Sequence, residues 1–147
     1  MGGMGFSSPL RYPGGKRKLS SYFSRLIIAN RLDGGTYIEP YAGGAGLALA
    51  LLFDDVVGNI VINDLNPSIY NFWKATIGET DELCELILDV PVSVEEWKRQ
   101  KMVQHNPKAS TIELALSTFF LNRVNRSGIL DGGLIGGNKQ NGAYKMD

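Results

Sequence analysis

Two acids and three glycines carry the first chemical signal in the chain. Glu39 lies near the end of the apolar run "TYIEP" (36–40), the turn-like stretch "YAGGAG" (41–46) follows, and Asp64 ends a second apolar run, "NIVIND" (59–64). Gly43, Gly44 and Gly46 have no Cβ, so the backbone between the runs can take positive φ and let a ligand approach the main chain. A strand entering a glycine turn and then a helix is the cofactor-binding geometry of Rossmann-like folds. Asp64 stands 64 − 43 = 21 residues past Gly43, where such folds hold ribose hydroxyls on a carboxylate. That carboxylate accepts from two cis-hydroxyls and repels a phosphate. Asp64 could instead cap the helical region that follows. Glu39 could accept from backbone N–H groups of the turn, contact an amine of the ligand, or stand in solvent.

Phosphate-binding patterns do not fit. Counting a dinucleotide fingerprint from Gly44 and Gly46 places Leu49 where glycine or alanine is needed. The stretch "GGKR" (14–17) has Leu10 in place of the first P-loop glycine and Arg17 in place of Ser or Thr, and no strand precedes it. The residues therefore ask for a ribose without a pyrophosphate. S-adenosylmethionine meets that description: an adenosine with no phosphate, carrying a methionine tail.

The elements that must position these residues follow from periodicity. "KLSSYFSRLIIANRL" (18–32) reads as an amphipathic helix stopped by Gly34 and Gly35. "TYIEP" reads as a buried strand, "AGLALALLF" (45–53) as a helix apolar nearly all round and packed on both sides, and "NIVIND" as a second strand. Two strands joined through a helix make a parallel βαβ unit. Asn66 and Pro67 read as an N-cap and first helical position for "PSIYNFWKATI". Helices are expected at "DELCELILDV" (81–90), at "SVEEWKRQKMVQH" (93–105) with Ser93 and Glu96 in capping-box spacing, and at "STIELALSTFFLNRVNR" (110–126). The glycine-rich "SGILDGGLIGGNKQNGAYKMD" reads as a turn-rich loop or hairpin.

Composition narrows the classes. The 147 residues are 44% hydrophobic and 20% charged, with 15 acids against 15 bases, which excludes a polybasic coat but not a local basic patch. No apolar run is long enough for a membrane span, and no signal-peptide core is present. The opening "MGGMGF" reads as a flexible leader. Cys84 is the single cysteine; a disulfide framework is excluded, a core thiol is expected, and a reducing cytoplasm fits. His105 is expected at the surface. No metal cluster is read.

Taken in order, "RYPGGKRKL" (11–19), "IEPYAGGAGLALAL" (38–51), "INDLNPSIYNFW" (62–73) and "FFLNRVNRSG" (119–128) resemble the Dam-like DNA adenine-N6 methyltransferases over about residues 9–145. The resemblance implies an α/β, Rossmann-like class I methyltransferase fold that uses S-adenosylmethionine and acts on adenine in double-stranded DNA, in settings that include restriction–modification. It implies a cofactor-binding part at 9–78 and a helical region opening a DNA-recognition subdomain at 79–147. It places cofactor contacts on Tyr12, Lys16, Glu39, Pro40, Gly43, Gly44, Gly46 and Asp64. Tyr12 stands where the family more often has tryptophan. The residues themselves agree: Gly14 and Gly15 allow a tight turn, Tyr12 can stack on a flat ring or sulfonium, and Lys16 can donate to a carboxylate. A solvated basic turn would read the same way. Arg123, Asn125 and Arg126, with Asn122, fall in the region leading to DNA recognition and can donate to phosphates or base edges. Alternatively they form a polar helix end.

One family feature is missing. The family's acid–proline–proline–aromatic motif holds the flipped adenine and its amino group, and no Pro-Pro pair occurs in the chain. No catalytic residue is therefore assigned. The chain reads as an incomplete, N-terminal part of the fold, able to hold cofactor, inactive alone, and prone to self-association through an uncovered sheet edge. A non-catalytic S-adenosylmethionine-binding remnant is the alternative. A nucleotide-dependent oxidoreductase is disfavoured by Leu49.

Overall fold

The computed structural model describes residues 8–141 and 145–146. The expected leader lies outside that range, as do residues 142–144 of the glycine-rich tail. The chain forms two compact units, Met1–Leu65 and Asn66–Asp147.

The first unit is built on two short parallel strands. A 3-10 turn (Lys16–Leu19) leads into α1 (Ser20–Ala29), followed by β1 (Thr36–Glu39), α2 (Gly46–Phe53) and β2 (Asn59–Ile62). Tyr37 pairs with Ile60 and Ile38 with Val61. Successive strand residues face opposite sides, and the consequence is visible. Tyr37 and Ile60 join Phe23 and Ile27 around a core of Leu47, Leu51, Val56 and Val57. Ile38 and Val61 face the other way and are 63% and 51% exposed. The expectation of a buried strand is corrected: β1 is covered on one face only, because α1 and α2 supply cover on that face alone. Likewise α2 buries Leu47, Ala48 and Leu51, whereas Phe53 is exposed.

Strand pairing runs on past the regular ladder. Asn63 N–H donates to the Glu39 carbonyl (3.1 Å), and Ala42 N–H donates to the Asn63 carbonyl (2.9 Å). The first residues after both strands are thereby held side by side.

The second unit is helical: α3 (Pro67–Gly78), α4 (Thr80–Asp89), α5 (Val94–Gln104) and α6 (Thr111–Val124), then a 3-10 turn (Arg126–Gly128). Asn66 caps α3, its side chain accepting from Ser68 N–H at 2.9 Å, with Pro67 at the first position. α6 packs against α3, α4 and α5. It buries Phe120, Leu121 and Val124, which cluster with Leu134 and are flanked by Val90, Val94, Trp97 and Leu130. The segment after α6 is a turn-rich loop closed by an antiparallel bridge between Asn125 and Leu134. Cys84 is exposed rather than in the core, because α4 buries only Leu83 and the next residue points away from that face. His105 is exposed at the end of α5.

Capping differs from the spacing argument in one detail. Ser93 accepts from Glu96 N–H (3.0 Å), but the Glu96 carboxylate turns to Arg99 (2.6 and 2.8 Å) and Gln100 (2.6 Å). The complete capping box belongs to α6, where Ser110 accepts from Glu113 N–H and Glu113 accepts from Ser110 N–H (2.7 Å). Donation from the Ser110 N–H, and then from the Ser110 hydroxyl (2.8 Å), holds the Glu113 carboxyl below the usual glutamate range. A carboxyl lowered in the folded state stabilises above its unfolded pKa, and that contribution is lost as pH falls through the folded value. Ser110→Ala should lower stability in urea unfolding by about 1 kcal/mol at neutral pH. The gap from the unsubstituted chain should narrow as pH drops below the usual glutamate range. A gap independent of pH would show that the Ser110 hydroxyl does not stabilise the Glu113 carboxylate, whose bond to the residue 110 N–H survives the substitution.

Candidate functional site

The glycine turn reverses the chain through two left-handed residues, Gly43 (φ +50°) and Ala45 (φ +49°). For an L-residue this costs roughly 1–2 kcal/mol, and Ala45 takes it with its methyl wholly buried. As the residue before α2, Ala45 has no side-chain oxygen to accept from the helix's first N–H groups. Glu39 does so from the end of β1. It is 2% exposed, and its Oε2 accepts from Ala48 N–H at 3.1 Å. A carboxylate at a helix N-terminus also meets the positive end of the helix dipole. Lys16 completes the arrangement, its Nζ lying 2.9 Å from Glu39 Oε1 and donating to the Tyr41 carbonyl at 2.7 Å. Of the three readings of Glu39, the solvent one is excluded and the backbone-accepting one is observed. The charge of Glu39, after burial itself, raises the Tyr37 phenol above its ordinary pKa.

Asp64 is half-buried just past β2, and its Oδ2 accepts from Gly43 N–H at 2.8 Å. The following helix is capped by Asn66, so Asp64 is not a helix cap. Asn63 donates through Nδ2 to the Pro40 carbonyl (3.3 Å). Glu39, Pro40, Gly43 and Asp64 are thus drawn together by strand pairing and two side-chain-to-backbone bonds.

The first close approach that the glycines permit is made by the chain itself. A Cβ on Gly43 would stand 2.7 Å from the Tyr12 ring; one on Gly44 would be 3.1 Å from the Leu10 carbonyl, and one on Gly46 would be 3.2 Å from Arg17 Cβ. Tyr12 therefore lies on the turn with 46% of its surface exposed. A concavity of 680 Å³ opens on the outer side of this segment, lined by Tyr12, Gly14, Gly15, Arg17, Lys18 and Ser20. The turn at 43–46 is not part of its lining.

In the second unit the expected DNA-facing residues divide. Arg123 and Arg126 are exposed. The Arg123 guanidinium lies over the Phe119 ring at 5.1 Å, and Phe119 in turn stacks on Phe72. Asn125 is a correction. It is fully buried, with Oδ1 accepting from Trp97 Nε1–H (2.8 Å) and Nδ2 donating to the carbonyls of Ile129 and Leu130 (2.9 Å each). An amide so committed holds the loop. Asn122 is also buried and donates to the Gly128 carbonyl (2.8 Å). Sequence reasoning missed Trp97 and Lys101, whose Nζ donates to the Leu130 carbonyl at 3.1 Å. The available signal was the spacing of Asn122 and Asn125, three apart and therefore on one helical face before a glycine-bearing loop.

Among the described residues, no cluster of three His, Cys, Asp or Glu side chains could hold a metal. Among the same residues, no helix is long and apolar enough to cross a membrane. Residues 12–145 match the family model of the D12 class N6 adenine-specific DNA methyltransferases. No curated protein matches the chain significantly.

The double duty of Glu39 is testable by substitution. Glu39→Ala removes the acceptor of Ala48 N–H and should destabilise the chain by about 1–3 kcal/mol. Glu39→Gln keeps a carbonyl acceptor and should lose less than half of that. Equal losses in denaturant unfolding would place the stabilisation in the Lys16 ion pair instead.

Proposed function

The chain belongs to the D12 class N6 adenine-specific DNA methyltransferase family, and we propose that its first unit binds S-adenosylmethionine against the glycine turn. In this reading Asp64 holds the ribose hydroxyls, and Tyr12 offers its ring to the adenine or sulfonium. Lys16 reaches the methionine carboxylate, while the charge of Glu39, buried beneath the turn, attracts the methionine ammonium and its bond to Ala48 N–H fixes the turn at Gly43, Gly44 and Gly46. Pro40 fixes the exit from β1. S-adenosylmethionine, when bound, supplies an electrophilic methyl group on its sulfonium sulfur. Residues 9–78 form the cofactor-binding part of a Rossmann-like class I fold, and residues 79–147 open the DNA-recognition part. The setting is the cytoplasm.

One observation carries the choice of ligand. In dinucleotide-binding folds, the turn and helix N-terminus after the first strand receive a pyrophosphate on backbone N–H groups. Here two carboxylates already accept from those groups: Asp64 from Gly43 N–H and Glu39 from Ala48 N–H. A phosphate would meet two negative charges and displaced donors. A ligand with ribose hydroxyls and a cationic tail meets two acceptors. This favours S-adenosylmethionine over a nicotinamide dinucleotide and leaves the oxidoreductase reading without support.

No Pro-Pro pair occurs in the sequence, so the proposal gives this chain cofactor and DNA contacts and no group that holds the adenine amino nitrogen. By itself it transfers no methyl groups. A cofactor-binding remnant without catalysis would share these properties; methyl transfer restored by the family's missing motif, supplied on a second polypeptide, would separate the two. The described sheet has two strands, β1 beside β2, so the outer edge of each is open to a further strand, and self-association through such an edge is proposed with it.

Calorimetric titration with S-adenosylmethionine and with NAD should show binding of the first alone. Asp64→Ala should weaken it by about 1.5–3 kcal/mol, the range for removing a hydrogen bond to a charged group. Asp64→Asn, still able to accept from Gly43 N–H, separates ribose recognition from support of the turn. Unchanged affinity in both variants would remove Asp64 from the site.

Arg123 and Arg126 are proposed to contact duplex DNA. Replacing both with alanine should flatten the dependence of log affinity on log salt by about 1 for each phosphate no longer neutralised. An unaltered slope would leave them as helix-end charges.

A further inference from the structure

We infer that Asn125 is a positioning residue for DNA recognition: it locks the 126–131 loop into its binding shape before DNA arrives. The inference rests on the proposal that this segment meets duplex DNA, and deepens it by separating the residues that touch DNA from those that shape the loop.

The loop has an unusual degree of side-chain support. Three successive carbonyls, those of Gly128, Ile129 and Leu130, accept from side chains of α5, α6 and the residue capping α6. Asn122 holds the first (2.8 Å), Asn125 holds the second and third (2.9 Å each), and Lys101 also holds the third (3.1 Å). Backbone bonds fasten the base, Arg126 N–H to the Gly133 carbonyl (3.0 Å) and Ile135 N–H to the Val124 carbonyl (2.9 Å). Such anchoring holds Ser127 (φ +57°) and Gly128 (φ +70°) in consecutive left-handed conformations, which a free loop would leave, since serine is strained there.

Trp97 sets the direction of the lock. An indole N–H only donates, so it must meet the Asn125 oxygen, and the amide nitrogen is left facing the two carbonyls. Aspartate at 125 would offer no donor in its ionised form, and serine would offer one. With the carbonyls drawn inward, Arg126, Ser127 and Ile129 are exposed on the outer side. A loop ordered in the free protein loses less conformational entropy on binding, which raises affinity without adding a contact.

The test compares the unmodified chain with Asn125→Ala and with Trp97→Phe, which keeps an aromatic ring at that position but deletes the N–H that orients Asn125. Hydrogen exchange is read at the loop amides of Ile129 and Gly132, and binding to a duplex oligonucleotide is followed by fluorescence anisotropy across a salt series. In the unmodified chain the loop amides should be protected without DNA. Both variants should lose that protection while α6 amides keep theirs. DNA affinity should fall about tenfold, the equivalent of roughly one to two hydrogen bonds, with the salt slope unchanged. Unprotected loop amides in the unmodified chain, or full affinity in a variant whose loop protection has gone, would overturn the inference. A salt slope reduced by about 1 would also overturn it, because Asn125 would then be a phosphate ligand. No DNA binding by the unmodified chain, with its loop protected, would remove the DNA proposal and this inference with it. Should Asn125→Ala fail to fold, Trp97→Phe alone decides.

Discussion

The buried carboxylate of Glu39 is the constraint around which the first unit is arranged. An ionised acid at 2% exposure is costly unless it is paired and hydrogen-bonded. Three things meet that requirement at once: the Ala48 N–H, the positive end of α2, and the Lys16 ammonium. Each is also a structural tether. The first joins the end of β1 to α2, so the turn between them is fixed from both sides. The last brings the 3-10 turn at 16–19 onto the same point, and with it the segment that lays Tyr12 on Gly43. Asp64 repeats the device from β2 by accepting from Gly43 N–H. Two acids at the ends of two parallel strands thus define both the shape of the turn and its electrostatic character.

The second unit solves a similar problem with neutral groups. The chain leaving α6 must turn sharply, and its carbonyls face the protein interior, where an unsatisfied acceptor is expensive. Asn122 and Asn125 supply donors at the helix end, and Trp97 orients the second of them from α5. In both units a polar side chain buried beneath a loop decides what that loop can offer to a partner. The first leaves the Asp64 carboxylate half-buried beside the turn; the second leaves arginines on the outside.

Much of this was legible in the sequence, for reasons that can be named. The order of strand, glycine turn, helix and strand follows from short-range patterns, and Gly43 to Asp64 is a spacing imposed by the βαβ crossover. Asn66 and Pro67 announce α3 by local chemistry alone. What was not legible depends on partners distant in the chain. Ile38 read as a core residue, since an apolar strand looks the same whether one face is covered or two. Cys84 read as buried because its helix is apolar in composition, although Leu83 is its one fully buried residue. Asn125 read as a donor to DNA, because its partner Trp97 lies 28 residues earlier. The left-handed conformation of Ala45 was hidden for the opposite reason: the flanking glycines seemed to supply all the freedom the turn required.

The central claim is that the acid-capped turn of the first unit receives a phosphate-free, ribose-bearing cation. Its most direct test is a 15N-resolved NMR titration of the chain with S-adenosylmethionine, following the amides of Gly43, Gly44, Gly46 and Ala48, with inorganic pyrophosphate as a parallel titrant. Those amides should shift with S-adenosylmethionine in a saturable way and stay unmoved by pyrophosphate. Shifts at the same amides with pyrophosphate, or saturable S-adenosylmethionine shifts confined to residues outside the turn, would contradict it.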